Sequence, residues 1–349
     1  MPTRGVQPHH TDVAESWSQP DEDDGSTVRA RLRVHLWIYN HSLYGISDQI
    51  EYFAGAFGHN GYTVSVGRKP VDMALNVVIE NFSSQTRDTL IEFCSRTRKR
   101  VAVIMTEHID FVARRILIHG DPLWTDNDYM HPAIQVERLR CLMSCHQYIA
   151  FFMVLGDLPE LRNFAQMMVG AEVRAIPFPR IDHRHQHERD EAQPPRYDLL
   201  FSGYVTQYRK RLLAEAALPG LSLTSPRKLV SRKKRDQLNR LTRIVLNLPQ
   251  REGWQWLSLM RVMAALRCGR ATVSLGTHDT SRIAACTYQL DLHDPGWKDE
   301  LKTHVADWAT AYHKMYEGYC RMAADFEQTH PFPHDMIEYW AVTDRVRAE

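Results

Sequence analysis

Apolar runs of strand length alternate with helix-period stretches along most of this chain. "RLRVHLWIYN" (31–40) predicts a strand, "HSLYG" a loop, and Ser47 to Phe57 a helix that stops before Gly61. "YTVSVG" and "ALNVVIENF" follow as strands, "SQTRDTLIEFCSRTRKR" as a helix and "VAVIMTEH" as a strand. "QYIAFFMVLG" is a further strand, "LPELRNFAQMM" a helix and "EVRAIPFP" a strand. These strands are continuously apolar rather than alternating, which marks a parallel sheet covered by helices on both faces.

The segment "PFPRIDHRHQHERDEAQPP" has no apolar period and reads as a linker. The alternation then restarts. "YDLLFSG", "LSLTS", "RIVLNL" and "ATVSL" are strands, separated by helices over "TQYRKRLLAEAA", "RKKRDQLNRLT" and "WQWLSLMRVMAALRCG". A long helical region covers about 297–326, and "HPFPHDMIEYWAVTDRVRA" gives a last helix or turn. The expected fold class is therefore α/β, with two doubly wound Rossmann-like domains facing a central cleft. Its divisions are a flexible leader (1–29), a first domain (30–178) rejoined by residues 331–349, a linker (179–196) and a second domain (197–330). In open sheets of this kind ligands sit at the carboxyl ends of the strands, so the βα loops of both domains should meet in the cleft.

Composition narrows the choice only a little. The 349 residues are 44% hydrophobic and 24% charged, with a formal net charge of +1, which argues neither disorder nor a dedicated polyanion binder. No apolar stretch reaches the roughly 18 residues of a membrane span, and no signal-peptide pattern opens the chain. A cytoplasmic protein is expected. The six cysteines are scattered through element patterns, which suits free thiols. Cys141, Cys145 and His146, or His183, His185 and His187, suggest a metal only in fragments, and no complete ligand set is read.

Several strand ends carry chemistry. In "HSLYGISDQ", Gly45 suits a tight turn, Ser47 a cap and Asp48 the first helical turn; His41 or Asp48 is a candidate general base, and a plain capped helix start is the alternative. "VVIENF" and "VIMTEH" place Glu80 and Glu107 just past buried strands, where partial burial raises a carboxyl pKa toward proton-accepting duty; a cap or an Arg pair is the alternative. In "LLFSGY", Ser202 and Gly203 let backbone amides approach phosphate oxygens at a helix start.

Arg261 lies inside an apolar helix pattern, three residues after Ser258 on the same face. A guanidinium there needs an anion, either an acidic neighbour such as Glu252 or a phosphate. The run "RKLVSRKKRDQLNRLTR" concentrates Arg227, Lys228, Arg232, Lys233, Lys234 and Arg235, as a solvated helix face or a nucleic-acid contact.

Through "YDLLFSGYVTQYRKRLL", "LTRIVLNL" and "SLMRVMAALRCGRATVSL", the second half resembles a nucleotide-sugar-dependent glycosyltransferase of the GT-B fold, with a C-terminal domain like those of families 1 and 4. Arg261, Ala265, Leu266, Gly269, Val273 and Ser274 fit the pattern, while Ser258 stands where such enzymes usually carry a glutamate. The first half is similar to the acceptor domain of the same architecture through "SLYGISDQ", "VVIENF" and "IMTEH".

The resemblance implies a nucleotide-sugar donor near Ser202, Gly203, Arg209, Asn247, Glu252, Ser258 and Arg261, with Arg261 offsetting the departing phosphate. It implies an acceptor held by Tyr44, Gly45, Ser47 and His108 and activated by Glu107, Glu80, Asp48 or His41. No cofactor and no divalent metal are called for, and the acceptor is open among glycan, small molecule, protein and nucleic acid. A catalytically inactive relative that binds nucleotide or a partner, motivated by Ser258, and a nucleic-acid glycosylating enzyme using the basic run are the other readings.

Overall fold

The structure is a computed structural model that describes residues 32–39, 41–79, 82–106, 109–113, 115–122, 132–157, 163, 168, 170–181, 194–254 and 256–348. The predicted leader, Glu80, Glu107, His108, His183, His185, His187 and most of the helix expected at 158–168 lie outside the described residues.

Two parallel sheets organise the chain. The first has six strands: β1 (Arg33–Trp37), β2 (Thr63–Gly67), β3 (Leu75–Ile79), β4 (Val101–Met105), β8 (Ile149–Leu155) and β9 (Val173–Ile176), in the order β2-β1-β3-β4-β8-β9. The second has five: β10 (Tyr197–Leu200), β11 (Leu223–Thr224), β12 (Thr242–Asn247), β13 (Ala271–Leu275) and β14 (Tyr288–Leu290), in the order β11-β10-β12-β13-β14. Every pairing within these two sheets is parallel. Strands β4 and β13 are buried along their whole length, because helices cover both faces. In each sheet the chain moves to one side of its first strand and then returns to the other. This creates a crevice at the carboxyl ends of β1 and β3, and a second at those of β10 and β12.

Helix α1 (Leu43–His59) starts four residues earlier than the sequence pattern suggests, with Ser42 in extended conformation as its N-cap. Ser47 is therefore an interior helical residue and no cap, and Gly45 lies in the first turn, without positive φ and with open space where a Cβ would stand. Helices α2 (Ser84–Thr97) and α3 (Pro132–Ser144) complete the first half, together with a small antiparallel sheet of β5 (Ile109–Val112), β6 (Arg115–Ile118) and β7 (Asp121–Pro122) that the sequence pattern did not announce.

In the second half, α4 (Gln207–Ala216) and α5 (Arg232–Arg240) are capped by Thr206 and Ser231, whose hydroxyls accept from Arg209 N and Lys234 N. Helix α6 (Leu259–Arg267) is shorter than expected, because residues 248–254 and 256–258 are loop rather than helix. The expected continuous helix over 297–326 is broken at Asp307 into α7 (Trp297–Ala306) and α8 (Trp308–Thr329).

The final helix, α9 (His334–Ala348), lies against the first sheet's half of the molecule. Asp344 accepts from the Arg100 backbone N–H at 2.9 Å and from Trp340 Nε1 at 2.8 Å, and the Trp340 ring meets Phe151 edge-on. Phe332, just before the helix, packs on Phe57 and Tyr62. All six cysteines are unpaired, five of them buried.

Candidate functional site

The crevice of the second sheet holds a cluster of residues centred on Arg261. The shorter α6 changes what Arg261 is: it occupies the third helical position, and Ser258 is the N-cap, with β-region dihedrals and a side chain that makes no capping bond. The first N–H groups of any helix lack partners within it, so this uncapped start presents donors and the positive end of the helix dipole. Ser258 is exposed at the cap position and does not share a buried face with Arg261, contrary to the sequence reading.

Arg261 is half-buried, and its Nη1 donates to Asn247 Oδ1 at 2.9 Å. Its guanidinium also stands 4.9 Å from the Phe201 ring centre. Among the described residues no carboxylate pairs with it. Burial, aided by the nearby Arg235 charge and opposed by Asp48, pulls its pKa down to about 10. It stays charged at neutral pH, and an arriving anion would relieve its position.

Asn247 ends β12 almost completely buried, and its Nδ2 has no hydrogen-bond partner among the described residues, a donor that burial makes costly to leave unmet. Gly203 follows β10 on the other lip. A Cβ there would stand 2.5 Å from Arg261 Nη2 and 2.7 Å from Phe201 Cζ, so glycine is what admits the guanidinium. Ser202 is half-buried beside it. Gly203, Asn247 and Arg261 thus converge from a loop, a strand end and a helix.

Two expected donor residues are engaged elsewhere. Arg209 is buried and donates to the Leu248 carbonyl through Nε (3.0 Å) and Nη2 (2.7 Å) and to the Tyr204 carbonyl through Nη1 (2.8 Å), so it braces the loops instead of facing a phosphate. Glu252 is exposed and pairs with Arg211 at 2.7 Å, which removes it as the acidic partner of Arg261.

On the first half's side, Asp48 is the main correction. It accepts from both terminal nitrogens of Arg235, and Arg267 lies 3.9 Å away, so its carboxylate bridges the halves and is not free to take a proton. Glu51, one turn on, pairs with Arg267 at 2.9 Å and with Arg232. Of the basic run, Arg232 and Arg235 are thereby turned inward, while Arg227, Lys228, Lys233 and Lys234 remain exposed. His41 sits half-buried in the loop after β1, and Tyr44 falls in the first turn of α1.

Other residues at the site escaped the sequence reading. Trp254, in the loop between Asn247 and Arg261, is stacked on His119 from the small antiparallel sheet. Buried Asp279 accepts from Leu257 N at 2.7 Å and Ser281 N at 2.6 Å, fixing the chain just before α6. The dipeptide "HG" between β6 and β7 was the available signal for the first, since Gly-containing pairs mark two-residue hairpin turns.

Gly203→Ala is expected to displace Arg261 and destabilise the protein by about 1–3 kcal/mol, the usual cost of overpacking. In the Gly203→Ala/Arg261→Ala double variant the collision with the guanidinium disappears while that with the Phe201 ring remains, so the double variant should lose less stability than the two single penalties added together.

The fold and site together define a two-sheet, doubly wound α/β protein with an arginine-centred cluster at the crevice of its second sheet. No family model matches the chain, and no curated protein matches it by sequence. Among solved structures, TarM superposes with a TM-score of 0.41 at 9% identity over 78% of this chain, which spans 55% of TarM. An α-glucosyltransferase solved with UDP and a 13-mer DNA containing an HMU base gives 0.41 at 10% identity, covering 90% of this chain and 99% of that one. An α1,3-fucosyltransferase gives 0.35 at 10% identity, covering 82% and 81%. Among the described residues no helix is long and apolar enough to cross a membrane, and no group of three or more His, Cys, Asp or Glu side chains is placed to hold a metal.

Proposed function

We propose that this chain is a cytoplasmic glycosyltransferase of GT-B architecture that takes a glycosyl group from a nucleoside-diphosphate sugar. The observation that carries the reading is Arg261: a half-buried guanidinium that no carboxylate among the described residues meets, beside the unmet Asn247 amide and a glycine that clears its space. As the bond from the anomeric carbon to the diphosphate breaks, negative charge builds on the leaving oxygens. Arg261 and the open start of α6 are donors fixed before that charge appears, which is how preorganised sites lower a barrier. In this reading they offset the leaving group without a divalent metal or other cofactor.

The new bond forms between the anomeric carbon and an acceptor hydroxyl, whose proton passes to a base in the first half. With Asp48 committed to Arg235, Glu107, Glu80 and His41 are the remaining candidates. The acceptor is a hydroxyl-bearing molecule bound near the start of α1.

A second reading is favoured by Ser258 and Glu252: the N-cap of α6 is a serine and the nearby Glu252 is paired with Arg211, so neither offers a free carboxylate to hold a donor's ribose, as expected of a relative that binds nucleotide without turnover. The thermal midpoint with UDP, GDP, CMP, ADP and dTDP, each with and without chelator, tests both. A nucleotide at a hundred times its Kd stabilises by about 2.7 kcal/mol. One active nucleotide whose sugar conjugate is consumed on adding acceptors supports the transferase; binding with no consumption supports the second reading; no binding by any of them refutes both.

A further inference from the structure

We propose that the β5–β7 sheet is an arm by which the first half of the molecule positions the donor loop, with His119 as the positioning residue; what that loop holds rests on the reading above. Ile118 pairs with Asp121, which leaves His119 and Gly120 as a two-residue turn. Both have positive φ, 54° and 79°, as the turn matching the twist of a hairpin requires. Asparagine is the ordinary first residue of such a turn. Histidine tolerates the conformation and adds a ring.

That ring lies flat on Trp254, with centroids 4.1 Å apart and planes within 5°. Trp254 is 3% exposed and belongs to the loop that joins Asn247 to Arg261. Other anchors of this loop come from the second half. Arg209 holds the Leu248 carbonyl, Thr206 donates to the Gln250 carbonyl at 2.7 Å, Arg211 pairs with Glu252, and Asp279 holds Leu257. His119 brings in the first half. Its strand is itself rooted, since Ile109 and Ile118 are buried with at most 1% exposure. A shift of the first half against the second is therefore passed through the ring pair to the chain between the two donor-site residues.

The test uses the full chain as wild type, His119→Asn, His119→Phe and Trp254→Leu, with amide hydrogen exchange over 248–258 and titration with UDP, GDP and ADP. His119→Asn keeps the left-handed turn and removes the ring; His119→Phe keeps a ring. Loss of an aromatic pair should raise loop exchange in His119→Asn by about threefold to tenfold, leave β1 to β4 unchanged, and weaken the nucleotide that binds wild type by a similar factor. Trp254→Leu should reproduce the faster loop exchange, and His119→Phe should restore wild-type values in both readouts.

Unchanged loop exchange in His119→Asn, or no restoration by His119→Phe when that variant is folded, overturns the proposal. If loop exchange responds as stated while no nucleotide binds even the wild type, the positioning of the loop stands and the donor reading falls.

Discussion

Arg261→Ala should abolish stabilisation by the active nucleotide while leaving the unliganded protein within about 1 kcal/mol of wild type. The second half of this expectation is the unusual one, since truncating a half-buried arginine normally costs stability. Here the native state gains one hydrogen bond to Asn247 and one ring contact from the side chain, and gives up the solvation of a charge that no carboxylate among the described residues meets. These contributions oppose each other. A diphosphate meets the charge fully, and truncating one partner of such a pair costs about 2–5 kcal/mol of binding. Thermal midpoints with and without nucleotide measure both quantities at once. Arg261→Lys should fall between, because it keeps the charge and loses the planar fork. A large loss of unliganded stability with nucleotide binding intact would make Arg261 a framework residue.

Asp48→Ala should lower stability by about 3 kcal/mol, the lower end of what breaking a buried pair costs. Asp48 and Arg235 are about 15% and 16% exposed and joined through both guanidinium nitrogens, and Arg235 keeps Asp236 at 2.8 Å when Asp48 is removed. Glu51→Ala is the internal comparison: its side chain is 46% exposed, so its pairs with Arg232 and Arg267 are screened and its removal should cost less than about 1 kcal/mol. Denaturant midpoints of Asp48→Ala, Arg235→Ala and the double variant give the coupling between the pair directly. If Asp48→Ala keeps wild-type stability and loses turnover instead, Asp48 returns to the role of base.

The strands were legible because a doubly covered parallel sheet demands unbroken apolar runs such as "VAVIM" and "IVLN", and few other structures do. Gly203 stood out as a small residue just past a strand end and Arg261 as a charge inside an apolar helix pattern, but the close approach of the two was not readable from either local pattern. Nor was the start of α6. Trp254, Trp256 and Leu257 extend its apolar period backwards, yet the Trp254 ring stacks on His119 and Asp279 accepts from the Leu257 amide, contacts that hold this stretch as a loop. The role of Asp48 was equally hidden, because its partner Arg235 lies 187 residues away and no local pattern links them. The small β5–β7 sheet was missed because its strands have four, four and two residues, too short to establish an alternating period.

The return of α9 to the first half bears on how the chain folds as it is made. The Arg100 amide and Asp344 that complete this contact are 244 residues apart, with the entire second sheet between them. On a ribosome the first sheet forms early, yet the apolar surface around Phe151 stays uncovered until Trp340 has been synthesised. The first half thus spends its synthesis as an incomplete body with an exposed seam. Expression of its early strands without 334–348 is the condition under which that seam would drive aggregation.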